Sequence, residues 1–153
     1  SLVESYGQSA GKEKFYSLHW QQYDISGAFH MACVTYHNTN DGWYLVVPGH
    51  WTGHISLMRT ENTSSLTVEH SIVFYYRGSQ KDTPKPFLAI YKTTSNDRQS
   101  RIDRAQKSGR FVLRSDPGTI YSAEFFDCDW DCGLTEDSLK EQFHLIQPHW
   151  SNN

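Results

Sequence analysis

Two thiols and three carboxylates share six positions near the end of the chain, in Asp127-Cys128-Asp129-Trp130-Asp131-Cys132. Three chemistries fit such a cluster. A metal would need ligands from elsewhere, because Cys128-x3-Cys132 is wider than the usual zinc half-site and no second Cys pair completes four ligands. A Cys128–Cys132 disulfide would close a very small loop and requires a tight turn there. The plain alternative is one Cys packed at a strand end beside solvated aspartates. Cys33 makes the count odd, so one thiol of a monomer stays unpaired.

Other residues invite binding rather than catalysis. Trp43, Trp51, Trp130 and Trp150 are candidates for a sugar-stacking surface. Trp51 and Trp130, together with Asp127, Asp129 and Asp131, form the candidate ligand set. Arg98, Arg101 and Arg104 recur every third residue, a spacing that lines one side of a helix and suits an anion. His50-x3-His54 has the spacing of two ligands on a helical face, but Pro48-Gly49 and Gly53 make the segment a turn, so no metal is assigned. No Gly-x-Ser-x-Gly, His-Glu-x-x-His or phosphate loop occurs, and no catalytic residue or cofactor is assigned.

The elements that must position these residues read as β-rich. Strands are expected at Ala28–His37, Trp43–Val47, His54–Arg59, Leu66–Arg77, Phe87–Tyr91, Phe111–Leu113 and Thr119–Phe126. Asp41-Gly42 marks a hairpin between the first two, and Glu69-His70 reads as a charged interruption. Residues 96–107 read as a thin amphipathic helix capped by Asn96 or Ser95, with Gly109 beyond its end. A last helix starts at Thr135, stapled by Leu134 and Leu139, with Leu139, Gln142, Phe143 and Ile146 on its inner face. The expectation is an α+β domain with a mainly antiparallel sheet of about seven strands and two helices, one C-terminal. Residues 1–14 read as a flexible lead-in or linker and 15–153 as one domain.

Composition narrows the function. The chain has 153 residues, 14% aromatic and 20% charged, with a formal charge of −3 and a pI near 6.2. One core of that size is the default. Net negative charge argues against nucleic acid, and no apolar run is long enough to cross a bilayer. Seven of the chain's 14 basic residues lie between Lys92 and Arg114, and seven acidic residues lie between Glu124 and Glu141, two surfaces that balance or meet.

The segments Asp41-Gly42-Trp43 through Pro48-Gly49-His50-Trp51-Thr52-Gly53, Phe87-Leu88-Ala89-Ile90-Tyr91 with Asn96-Asp97-Arg98, Tyr121-Ser122-Ala123-Glu124, and Cys132-Gly133-Leu134-Thr135 to Ile146 occur in this order. The series, over roughly residues 15–150, resembles a C-terminal domain of uncharacterised Firmicutes cell-envelope lipoproteins. It is more distantly similar to the PsbP/Mog1-like fold. The resemblance implies an exported protein whose lipid anchor and N-terminal region lie outside this chain. It supplies no catalytic residues.

Two functions are therefore expected. The first is a non-catalytic extracytoplasmic module that binds another protein or a cell-wall component. The alternative is a carbohydrate-binding or hydrolytic domain that uses the Trp and Asp side chains.

Overall fold

The computed structural model describes residues 2–5, 15–23, 25–27, 29–78 and 83–147. Trp150, most of the 1–14 lead-in and the chain end lie outside the described residues. In chain order the elements are β1 (Leu2–Ser5), β2 (Phe15–Tyr23), β3 (Phe29–Asn38), β4 (Trp43–Val47), β5 (Ile55–Thr63), β6 (Val68–Tyr76), β7 (Lys85–Thr94), α1 (Arg98–Ala105), β8 (Arg110–Asp116), β9 (Thr119–Phe125), α2 (Glu136–Gln142) and β10 (Phe143–Leu145).

The domain is α+β, with two helices and two antiparallel sheets. One sheet has four strands in the order β10-β4-β3-β2, the other five in the order β5-β6-β7-β9-β8. The short β1 joins them, antiparallel to β2 and parallel to β5, and it falls within the expected lead-in. The strand count therefore exceeds the seven read from sequence.

Local chemistry explains the turns. Gly42 takes φ +76° between β3 and β4 and donates its N–H to the Asn38 carbonyl, the backbone state for which Asp-Gly is selected. Strand β6 runs straight through the charged pair: Glu69 opposes Thr93 and Asn62, while His70 opposes Lys92 and Glu61. Successive residues of a strand face opposite sides, so the two polar groups leave by different faces and interrupt nothing.

The helices are shorter than expected. Asp97, not Asn96 or Ser95, caps α1 by accepting from the Ser100 N–H, and the helix ends at Ala105. Thr135 caps α2 as read, in a reciprocal box with Ser138, but the helix stops at Gln142. Phe143 then turns into β10, pairing with Leu45 on the edge of β4 and packing its ring on Trp43 and Tyr121. Edge pairing and aromatic burial outweigh one more helical turn.

One core lies between the sheets. Val34, Tyr36, Trp43, Leu45 and Val47 from the four-stranded sheet meet Ile55, Leu57, Ile72, Phe74, Leu88, Ile90 and Ala123 from the other. Helix α2 touches β4, β8 and β10, so it covers the side where the outer strands approach one another. Helix α1 lies on the outer side of β7, β8 and β9.

Antiparallel connections alternate between two ends of this core, and the ends differ in chemistry. At one end the β3–β4 turn brings in Asp41, 1% exposed, over a row formed by Glu61, His70, Lys92 and Tyr121 on four neighbouring strands. Its carboxylate accepts from Asn38 (2.7 Å), His70 Nδ1 (2.7 Å) and Arg59 (3.3 Å), and its main-chain carbonyl from Lys92 Nζ (3.1 Å). At the other end sits Trp51.

A second polar network lies on the face toward α1. Arg110 makes two bonds to Glu69, at 2.9 and 3.0 Å, with its guanidinium 3.5 Å from the centre of the Tyr91 ring. Burial and the hydrogen bond from Tyr91 to Glu124 push the Tyr91 phenol up to about 12.

Candidate functional site

Trp51 follows β4 in a single turn of 3-10 helix, Gly49–Trp51, where Pro48 ends the strand. It is fully enclosed, ringed by Tyr36, Phe74, Phe87 and Trp130 at centroid distances of 5.0–6.2 Å. Burying such an indole removes roughly 200 Å² of surface, an upper bound of about 5 kcal/mol. No face of Trp51 is left for a ligand.

The enclosed ring does a second job. Its indole N–H donates to the Cys132 carbonyl at 2.7 Å, and the adjacent His50 Nε2 donates to the Asp131 carbonyl at 3.0 Å. Residues 127–134 have no regular backbone pairing, so these two bonds fix them as a strap across this end of the core. Trp130 is its apolar anchor. The ring stacks on Tyr76 at 4.6 Å with a 6° interplanar angle and meets His50 and Phe87 edge-on. Gly133 holds φ +77°, and a Cβ there would lie 3.1 Å from the His50 ring and 3.2 Å from Pro48. Only glycine takes that conformation without strain.

Open space lies on both sides of the strap. One cleft, of about 480 Å³, is lined by Tyr76, Gly78, Thr83, Lys85, Cys128 and Asp129. The other, of about 420 Å³, is lined by Cys33, Val34, Val46, Val47, Pro48, Gly49, Gly133, Leu134, Ser138 and Gln142. Both are within the size of small-molecule and peptide side-chain pockets. The first combines the Tyr76 ring with Thr83, Lys85 and Asp129; the second is walled by valines, Pro48 and Leu134.

The residues singled out from sequence separate accordingly. Asp127, Asp129 and Asp131 are all exposed, and among them only Asp129 lines a cleft. Asp131 accepts from the Gly133 N–H at 2.8 Å and so shapes the strap. Trp130 stands behind the cleft wall rather than on it. Cys128 and Cys132 are free thiols and are not joined, and Cys33 is free as well. Cys132 is 8% exposed; its burial pushes the thiol pKa up, and the neighbouring Asp131 and Cys128 raise it further. A group so placed is a poor nucleophile.

The arginine stripe disperses. Arg98 is exposed on α1, Arg101 donates to the Ser95 carbonyl, and Arg104 turns toward Glu69 at 3.7 Å. Among the described residues these side chains do not converge on one anion. His50 and His54 do not converge either, since His50 is committed to Asp131 and the Trp130 ring. No group of three His, Cys, Asp or Glu suited to a metal occurs among the described residues.

Sequence reasoning missed Tyr76 and Lys85. They are directly opposed on β6 and β7, and Tyr76 is the aromatic residue that lines the cleft. The available signal was the alternation of β6, which places Phe74 and Tyr76 on the same side. No family model, curated protein or solved structure matches the chain.

Proposed function

We propose that the chain is a non-catalytic, extracytoplasmic binding module of a cell-envelope protein, which holds a partner protein or a wall component at the strap of residues 127–134. The observation that carries this reading is the strap itself: a conformationally fixed, irregular segment with an open cleft on each side. The bonds from Trp51 and His50 that hold it go to main-chain carbonyls, and of its own thiols and carboxylates only Cys128 and Asp129 line a cleft. Trp51 is enclosed, Cys132 is buried, and Asp127 and Asp131 line neither cleft. The export and the lipid anchor rest on the resemblance to envelope lipoprotein domains.

Co-sedimentation with purified bacterial cell walls and with membrane protein extracts tests the reading. The wild-type chain should sediment with one of them, and Leu134→Asp together with Tyr76→Ala should abolish it while the fold persists by circular dichroism. Binding unaffected by both substitutions would overturn the strap as the binding element. Fractionation of the full-length gene product addresses compartment: a cytoplasmic protein would contradict the envelope assignment.

The carbohydrate reading is favoured by one specific observation, the Tyr76 ring that lines the larger cleft and is backed by the parallel ring of Trp130. Hydrolysis finds less support. A glycosidase sets two carboxyl groups across the scissile bond, and among the described residues Asp129 is the only carboxylate lining that cleft.

A further inference from the structure

Resting on the reading of this chain as a binding module, the geometry points to the larger cleft as a saccharide site in which Tyr76, rather than either tryptophan, stacks on the sugar. Three features of the cleft carry the assignment.

The wall is a rigid aromatic ring. Tyr76 lines the cleft, and Trp130 lies parallel behind it at 4.6 Å, itself wedged against Phe87 and His50. A ring held in this way loses little freedom when a flat ligand settles on it, which keeps the cost of binding low. The apolar C–H face of a pyranose matches such a ring.

The rim carries opposite charges. Lys85 is the cross-strand neighbour of Tyr76, and Asp129 comes from the strap; both are exposed and line the same cleft. Adjacent sugar hydroxyls are donors and acceptors at once, so a carboxylate can accept from one while an ammonium donates to the next. The Thr83 hydroxyl adds a group of either sense. A polyanionic ligand would gain Lys85 only while meeting the repulsion of Asp129, and a long acyl chain settled on the rim would satisfy none of Lys85, Asp129 and Thr83.

The space is adequate. About 480 Å³ is within the range that encloses small organic ligands and exceeds the valine-walled cleft on the other side of the strap.

The test is a two-dimensional amide NMR titration of the chain with chitotetraose, cellotetraose and maltotetraose at millimolar concentration. At least one should shift the Tyr76, Lys85 and Asp129 amides and the Trp130 indole. Tyr76→Ala should weaken that binding about tenfold, the loss expected from removing one stacked ring, whereas Tyr76→Phe keeps it. Asp129→Asn, at an exposed position that leaves the fold alone, should weaken it as well. Shifts confined to the Val46–Leu134 cleft, or saccharide binding that survives both Tyr76→Ala and Asp129→Asn, would overturn the saccharide site while leaving a binding module intact. Silence from all three sugars, with wall peptides shifting the strap amides, would also overturn the saccharide site alone. Silence from sugars and peptides alike would overturn both.

Discussion

The indole N–H of Trp51 reaches 81 positions along the chain to the main-chain carbonyl of Cys132, at 2.7 Å and out of contact with water. That bond ties the end of the β4 hairpin to the strap and makes the core and the candidate site one structure.

Trp51→Phe keeps an aromatic ring in the core but leaves the Cys132 carbonyl buried without its donor. The expected loss of stability is about 1–3 kcal/mol, read from urea unfolding. Amide exchange at Cys132 and Gly133 should accelerate more than that of β6 or β7, because the strap is released first.

Gly133→Ala forces a Cβ into the left-handed region and against His50 and Pro48. The expected cost is about 1–2 kcal/mol, with a lowered thermal midpoint. The control is Gly27→Ala: that glycine has φ +82° but open space around it. It should be strained by its backbone alone and cost less.

Asp41→Ala removes the carboxylate that Asn38, Arg59 and His70 all address. Because Asp41 is almost fully buried, the loss should be large, about 3–5 kcal/mol in a denaturant series. An effect below 1 kcal/mol, the range of an exposed pair, would mean that the cluster does not hold the two sheets together.

Acid should weaken the fold through Glu69. Burial pushes its pKa up, but hydrogen bonds from Arg110 and Thr93 and the charges of Arg110 and Arg104 outweigh burial and hold it below the ordinary value of 4.5. A carboxylate depressed in the folded state stabilises above its unfolded pKa and loses that contribution as pH falls through the folded value. Urea midpoints should therefore drop as pH goes below about 4.5. Glu69→Gln, already less stable at neutral pH, should show a flatter acid limb.

The legible parts of the fold were those whose cause is local. Asp41-Gly42 announces its turn because few residues take the positive φ needed there, and Thr135 announces a helix because its hydroxyl satisfies a nearby N–H. Strand β10 was hidden for the opposite reason. Phe143 and His144 continue a helical pattern, and only the distant edge of β4 makes extension the better choice. Glu69 and His70 misled as an interruption because their partners, Arg110 and Asp41, are 41 and 29 positions away.

The site was partly legible for a similar reason. The strap stood out by composition, and its Cys and Asp residues suggested chemistry that the fold does not assemble. Trp51 is consumed by the core, while Tyr76 is exposed to the cleft only through its pairing with Lys85 and its stacking on Trp130. Neither outcome is encoded within a short window of sequence.

The central claim is that the strap between the two clefts is the binding element. The most direct measurement is an amide NMR titration of the intact chain with soluble fragments of bacterial cell wall, with shifts mapped residue by residue. The account predicts perturbations concentrated at residues 127–134 and at the lining residues Tyr76, Lys85, Val46 and Gln142. Perturbations confined to α1 or to the Asp41 end of the core, with the strap unmoved, would contradict it.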